Sequence, residues 1–400
     1  LVVTGANTYT GGTTISNGTL AVRDGGSLSH GAAVMIVGDT AGQTGILEIG
    51  PGSHVASAQA TIGQAGAGEV DIGGTGAHWQ VDGSIDMNSA GSGILRIHDE
   101  GVVDVAHGVS VGSGSAVRVS GPEASLNAGN MRVGLHGTGS LTLENGGSAS
   151  IDEGVLYLAG YEGTGVLNFG GQDLSVASTA GALGADTIEI GLDDGHESTG
   201  IINFNQTNTL TLAADTRESR GSGSVHQRGS GTTILTGTHH YSGGTTISDG
   251  TLLVNGSIVR SSINVNGGAL GGSGSVGNVT VNSGTITPGN SIGTLTVGGD
   301  WTLGAGATYE VELIGGGTTA GTHNDLVDVA GTATIEDGAL VHVTPENGTD
   351  NGSTNYADGA RYTVVQAAGG LTVNGQQTVT DDYAYLDFRT DHDSDNYYLI

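Results

Sequence analysis

One segment of this chain has the spacing of a serine nucleophile motif. Gly289, Ser291 and Gly293 satisfy the G-x-S-x-G pattern. That chemistry requires a strand, a sharp turn and a helix, with an acidic residue and a histidine later in the chain. Here the next residues, Thr294–Val297, have the composition of a strand. We therefore expect Ser291 to lie in a turn and to have no catalytic role.

Three histidines are spaced as if they could form a metal-binding or pH-sensing row. His30, His54 and His78 lie 24 residues apart, and histidine binds metals and titrates at about pH 6.5. Three solvent-facing turn residues are the alternative that we favour. His196-Glu197 lacks the second histidine of an H-E-x-x-H zinc motif. The sequence thus predicts no metal ligands and no cofactor.

Acidic residues form two clusters that could suggest calcium. Calcium needs about six to eight oxygen ligands in a defined geometry. Neither cluster has an EF-hand loop or a G-G-x-G-x-D-x repeat, so solvated turns are favoured, with a protruding loop at Asp193-Asp194. The clusters are Asp186, Glu189, Asp193, Asp194 and Glu197, and Asp381, Asp382, Asp387, Asp391, Asp393 and Asp395.

The main enzymatic alternative is a β-helical enzyme that acts on polysaccharide. Such an enzyme needs paired carboxylates and usually aromatic platforms along a cleft. Carboxylates are plentiful here, but aromatic residues are scarce through the first 230 residues. We predict that the chain is not an enzyme and assign no catalytic residue, with the polysaccharide enzyme kept as the alternative.

Composition and charge exclude several classes of partner. The formal net charge is −30, all ten basic residues are arginine, and cysteine is absent. Nucleic acids and anionic membranes need a basic surface, so neither is an expected partner. The absence of lysine removes P-loop phosphate binding and Schiff-base chemistry. No apolar run approaches the roughly 20 residues of a membrane-spanning helix.

The elements that must position these residues are repeats. Residues 1–22 (LVVTGANTYTGGTTISNGTLAV) recur as residues 233–254 (TILTGTHHYSGGTTISDGTLLV). The chain has 77 glycines in 400 residues but only 4 prolines, which suits short strands joined by turns that need positive φ. Because Leu1 falls inside a repeat, we expect the sequence to be a fragment of a longer protein.

A weaker repeat lies between the two long copies. A small residue followed by an apolar-x-apolar triplet recurs every 22 to 26 residues, which fits one coil of a parallel β-helix with three strands and three turns. Glu48, Asp71, Arg96 and Thr142 should face water because side chains alternate along a strand. The small residues are Gly45, Gly68, Gly93, Ser115, Gly139 and Gly165. The predicted inward columns are Leu47, Ile49, Val70, Ile72, Leu95, Ile97, Leu141 and Leu143.

The texture changes toward the C terminus. From about Ser262, short strands are separated by glycine pairs, and past Tyr309 the strands alternate more cleanly, with longer turns such as 344–358. We expect passenger-type repeats over 1–261, further coils over 262–308, and a C-terminal cap over 309–400. A cap is needed because the end of a solenoid exposes an unpaired strand.

These segments resemble a known family, the passenger domains of autotransporters, the type V secreted proteins of Gram-negative bacteria. The two TGGTTIS/SGGTTIS segments are similar to the passenger-associated strand repeat. The segments TPGNSIGTLTVGGDWTL, HNDLVDVAGTATIEDG, DGARYTVVQAAGG and DNYYLI resemble the C-terminal autochaperone region. The resemblance implies an all-β, right-handed, three-faced parallel β-helix with a C-terminal β cap.

It also implies a place and a role. The chain would lie at the bacterial cell surface or outer membrane, in some cases released extracellularly, ahead of an outer-membrane β-barrel of the parent chain. As a non-catalytic passenger it would mediate adhesion to a host cell-surface or matrix component, or self-association with another copy of itself, as in biofilms. The C-terminal segment would promote folding of the β-helix. The sequence does not choose between the two kinds of partner and identifies no ligand-binding residue.

Overall fold

The computed structural model describes residues 1–112, 114–173, 175–192, 195–346, 356 and 359–400. Over these ranges the chain is all-β, and they include no helix long and apolar enough to cross a membrane. The chain forms an N-terminal unit (1–208 and 214–224) and a C-terminal unit (209–213 and 225–400). The Asp193-Asp194 pair and most of the turn 344–358 lie outside the described residues.

The N-terminal unit is a parallel β-helix whose coils form three ladders, A, B and C. Ladder A contains Val2–Val3, Gly18–Val22, Thr44–Ile49, Ala67–Gly73, Gly93–His98, Ala116–Ser120, Thr138–Glu144, Thr164–Gly170 and Thr199–Asn205. Ladder B contains Ala6–Thr8, Ser27–Ser29, His54–Ser57, His78–Val81, Val102–Gly112, Ser125–Leu135, Ser148–Ile151 and Ala182–Gly184. Ladder C contains Thr13–Ile15, Val34–Val37, Gln59–Ile62, Ile85–Met87, the second halves of Val102–Gly112 and Ser125–Leu135, Val155–Gly160, Thr187–Ile190 and Asp215–Glu218.

The C-terminal unit has the same construction, with ladders D, E and F in coil order. Ladder D contains Ser222–Gln227, Thr245–Ile247, Ile263–Gly272, Val279–Pro288, Trp301–Leu303, Ala333–Ile335 and Leu371–Val373. Ladder E contains Thr209–Leu212, Thr232–Leu235, Thr251–Val254, the second halves of Ile263–Gly272 and Val279–Pro288, Ala307–Leu313, Leu340–Pro345 and Thr378–Asp381. Ladder F contains Ser257–Ile258, Ser275–Val276, Thr294–Val297, Leu326–Val329, Tyr362–Ala367, Asn396–Leu399 and Thr390–His392.

The predicted parallel β-helix is therefore confirmed, as are its apolar columns. Leu47, Val70, Leu95 and Leu141 lie in one register row of ladder A with Val117, and every predicted inward residue of ladder A is at most 1% exposed. Each column buries one aliphatic side chain per coil, so hydrophobic burial accumulates with every coil that is added.

The repeated glycine marks a contact between ladders. A β-carbon on Gly68 would lie 2.2 Å from the carbonyl oxygen of Val37, and one on Gly93 would lie 2.5 Å from that of Ile62. Both carbonyls end strands of ladder C, so the first residue of each ladder A strand packs directly against backbone. Ser115 replaces glycine once, and its hydroxyl accepts the Gly93 N–H at 2.8 Å.

One predicted outward residue is buried. Thr142 is 1% exposed because the segment 171–181 folds back over the outer side of ladder A. Beneath it, the Asn168 amide donates to the Thr142 hydroxyl at 3.2 Å, and Asn203 donates to Asn168 at 2.9 Å. The Asn205 amide donates to carbonyl oxygens of the covering segment. The expectation that Thr142 faces water is therefore wrong.

The last strands reverse direction. Asn396–Leu399 pairs antiparallel with both Tyr362–Ala367 and Thr390–His392, whereas the earlier pairs of ladder F are parallel. Tyr397 and Leu399 are buried on the inner side of this hairpin. The hairpin therefore covers the edge of Tyr362–Ala367 that a further coil would otherwise occupy.

Substitutions at neighbouring positions of one strand test this register. Leu141→Ala should lower the free energy of unfolding by about 2 to 5 kcal/mol, because it opens a cavity in the column. Thr142→Ala should lower it by about 1 to 3 kcal/mol, because the buried Asn168 amide loses its acceptor. The exposed Thr138→Ala should change it by less than about 0.5 kcal/mol. Urea unfolding followed by fluorescence of buried Trp79 measures all three, and a neutral Thr142→Ala would contradict the buried polar row.

Candidate functional site

Ser291 lies in a turn that carboxylates hold closed. Its hydroxyl donates to Glu346 Oε1, and the Ile292 N–H donates to Glu346 Oε2 at 3.2 Å. The turn leads directly into the strand Thr294–Val297, so the helix that a nucleophile elbow requires does not follow. The serine is bound to a carboxylate, with no histidine placed to accept its proton.

A buried carboxylate fixes the same turn from inside. Asp325 is fully buried and accepts the N–H of Gly293 at 2.9 Å and that of Glu312 at 2.8 Å. Burial raises the pKa of Asp325 to about 8, against the downward pull of these two donors, and nearby Glu312 and Glu346 add to the rise. Burial also raises the pKa of Glu312. The sequence analysis missed Asp325 because its partners lie 13 and 32 residues away.

The three histidines do not form one row. His54 and His78 face each other on paired strands, with ring centroids 5.7 Å apart. His54 is paired on its other side with Ser27, whereas His30 is buried against Tyr9, with ring centroids at 5.6 Å. Burial lowers the pKa of His30. Equal spacing in sequence therefore failed to predict stacking, because the coil between Ser27 and His54 is longer than the next.

The acidic clusters serve turns and ion pairs. Asp393 accepts hydrogen bonds from the backbone N–H groups of Asp395 and Asn396 and from the Tyr398 hydroxyl at 2.6 Å, and the Tyr398 bond is the first cause of its lowered pKa. Asp391 pairs with Arg361. Over the ranges that the structure describes, no three His, Asp or Glu side chains are arranged to hold a metal ion.

Two carboxylates do line one shallow groove. Glu48 and Asp71 are direct cross-strand neighbours on the outer side of ladder A, in a groove of about 440 Å³. Glu48 pairs with Arg23, and Asp71 accepts a bond from His98 Nε2 at 2.8 Å. Burial pulls the pKa of His98 down, but its bonds to Asp71 and Asp99 outweigh this and raise the pKa above its ordinary value. Since each carboxylate already binds a basic group, neither is placed as the general acid of a glycosidase.

The ion pairs continue along this side of ladder A. Arg96 pairs with Glu69 at 3.1 Å, and Arg118 pairs with the buried Glu144. Together with Arg23–Glu48 and His98–Asp71, these pairs form a surface that we call the paired-charge face. On it nearly every acidic group has a basic partner, whereas the whole chain has a net charge of −30.

The long repeat contains a conserved pair of side chains with a structural role. In the second copy, Tyr241 is fully buried, its hydroxyl lies 2.7 Å from Thr245 Oγ1, and burial raises its pKa. In the first copy, Tyr9 makes the equivalent contact with Thr13. The tyrosine of the repeat thus fastens the corner of its own coil.

Comparison with known proteins gives two kinds of match. The passenger-associated-transport-repeat model matches residues 1–22 and 225–254. The chain is similar to the adhesin BmaC autotransporter of Brucella suis biovar 1 (strain 1330), 33% identical over 230 residues, or 52% of this chain and 6% of that protein. It is also similar to the uncharacterized lipoprotein YdeK of Escherichia coli (strain K12), 32% identical over 177 residues, or 41% of this chain and 13% of that protein. The chain thus spans a small part of either relative.

Asp325 should make the stability of the C-terminal unit depend on pH. Its folded pKa of about 8 lies above the unfolded value of about 3.9, so the folded state binds more protons between these values. The free energy of unfolding should therefore be highest near pH 4 and fall as pH rises to about 8. Urea unfolding at pH 5 and pH 8, followed by Trp301 fluorescence in a Trp79→Phe background, measures this fall.

Asp325→Asn should lower stability at both pH values but remove most of the fall. Asp328→Asn is the matched control, because Asp328 faces outward on the adjoining strand Leu326–Val329. An equal fall in Asp325→Asn and the parent would mean that the two N–H donors keep Asp325 ionised throughout.

Proposed function

We propose that this chain, an autotransporter passenger domain with passenger-associated repeats, acts at the bacterial cell surface or outer membrane as a non-catalytic binding module. It would mediate adhesion to a host cell-surface or matrix component, or self-association with a second copy. The similar Brucella protein is named an adhesin, which supports this class of function. The polysaccharide enzyme is the alternative that the experiments below test.

The paired-charge face is the observation that supports the proposal most. Its rows place one outward side chain per coil, with coils about 4.8 Å apart, so identical weak contacts recur along the surface and their effects multiply. Because Arg96, Arg118 and Arg23 are paired with carboxylates there, an approaching acidic surface meets little net charge. The repulsion expected from −30 would then act mainly on the other faces.

The candidate catalytic groups are bound within the fold. Ser291 donates to Glu346, and Glu48 and Asp71 bind Arg23 and His98. A nucleophile needs an adjacent base and a glycosidase needs one carboxyl group kept protonated. Neither arrangement occurs at these residues, which favours binding over turnover.

We also propose that residues 309–400 promote folding of the coils before them. Their strands cover those of residues 279–303: Ala333–Ile335 pairs with Trp301–Leu303, and Leu326–Val329 pairs with Thr294–Val297. Buried aromatic side chains strengthen this end, including Tyr309, whose hydroxyl donates to the Val364 carbonyl at 2.6 Å. A stable terminal segment offers a surface on which neighbouring coils can nucleate.

The purified chain should show little hydrolysis on a panel of glycans, peptides and esters. Arrays of glycans and matrix proteins, run beside sedimentation velocity at several concentrations, should instead detect binding or self-association. Arg96→Glu should weaken whichever is found, because it places unpaired carboxylates on the paired-charge face. Arg260→Glu, at an exposed position in the C-terminal unit, is the control.

Robust turnover abolished by Ser291→Ala, Glu48→Gln or Asp71→Asn would establish the enzyme and overturn the proposal. Absence of binding to every array component, together with a strictly monomeric chain, would overturn the adhesive role.

Deleting residues 309–400 should slow refolding and promote aggregation. The deletion exposes the backbone edges of Thr294–Val297 and Trp301–Leu303, which are then free to pair with other chains. Refolding from urea, followed by circular dichroism and light scattering, measures both effects, and residues 225–400 alone should refold cleanly. A truncated chain that refolds as fast as the whole would reduce the segment to a passive cap.

A further inference from the structure

Three exposed aromatic rings lie side by side at the corner between ladders C and A of the N-terminal unit. The rings of His136 and Tyr161 are stacked, with centroids 4.5 Å apart and planes at 19°, and His196 lies 6.5 Å beyond Tyr161. Leu135 and Gly160 are register partners, so the first two rings occupy equivalent positions on consecutive coils. Tyr161 remains 41% exposed. We call these three residues the aromatic row.

The backbone holds this row in an unfavourable conformation. His136 and Tyr161 have φ of 51° and 49°, and Glu162, which follows, has 65°. A bulky residue such as tyrosine rarely adopts the left-handed region, and each such residue costs roughly 1 to 3 kcal/mol. Glycine would adopt it without strain. Folding alone therefore does not account for a tyrosine at this corner.

A groove adjoins the row on the outer side of ladder C. It has a volume of about 310 Å³, and its walls include Tyr157, Glu189 and Arg217. Leu192 also lines it and lies against Gly160, the residue before Tyr161. The groove is thus next to the aromatic row and offers a carboxylate, a guanidinium and a phenol to a ligand.

Arg132 and Ser219 support these groups from below and beside. The Arg132 guanidinium lies 5.4 Å from the centre of the Tyr157 ring, and the Ser219 hydroxyl donates to Glu189. The Tyr157 ring and the Glu189 carboxylate therefore have defined positions, which lowers the entropy lost when a ligand binds.

We propose that the aromatic row and this groove form a binding site for a neutral glycan, a proposal that rests on the adhesive function above. One face of a pyranose ring presents C–H groups, which the negative face of an aromatic ring attracts, and its hydroxyl groups suit mixed donors and acceptors. Rings on successive coils match a chain of sugar units. The net charge of −30 disfavours anionic glycans.

Calorimetric titration of the full chain tests the site, with cellohexaose and chitohexaose as neutral probes and a hyaluronan hexasaccharide as the anionic one. At least one neutral probe should bind, and hyaluronan should not. Tyr161→Gly should weaken binding about tenfold, because it removes the central ring, while leaving the unfolding midpoint near that of the parent. Tyr161→Phe should retain binding.

Tyr385→Ala is the matched control, because Tyr385 is 79% exposed and lies in the C-terminal unit; it should bind as the parent does. Unchanged affinity in Tyr161→Gly, preference for hyaluronan, or failure of both neutral probes would overturn the site. If the probes fail while matrix binding or self-association persists, only the site is wrong. If they bind through Tyr161 while beads coated with the chain adhere to no cells or matrix, the site stands and the adhesive function falls.

Discussion

The fold depends on how closely ladder A approaches the carbonyl groups at the end of ladder C. Gly68 and Gly93 leave no room for a side chain there, so a β-carbon would push the coils apart or shift their register. A shift by one residue would turn every inward side chain outward. The recurring glycine thus fixes the step from one coil to the next, and the columns of Leu, Ile and Val follow from that step.

Features set by local sequence were predictable, and features set by distant segments were not. Alternation within the Gly93–His98 strand predicts a buried Leu95 and an outward Arg96, and both occur. The burial of Thr142 depends on a segment that begins 29 residues later and has no distinguishing pattern. The proposed row of His30, His54 and His78 failed for a related reason, since stacking requires equal coil lengths and not only equal spacing between residues.

Candidate sites show the same division. The turn at Ser291 could be recognised because a strand sequence follows it, but the carboxylates that hold it come from Asp325 and Glu346. The aromatic row was likewise invisible, because His136, Tyr161 and His196 are 25 and 35 residues apart and only the coil brings them together. In a solenoid, every surface is assembled from residues one coil apart, and irregular coils hide that relation.

The corners tolerate inserted segments in a way that the ladders do not. Residues 171–181 and 314–325 are excursions between strands, and the strands on either side of each keep their register. Surface chemistry and scaffold are therefore separable under mutation: a lineage can exchange one corner segment for another and leave the stacked strands intact. Such a protein can diversify what it presents to its surroundings without having to evolve a new fold.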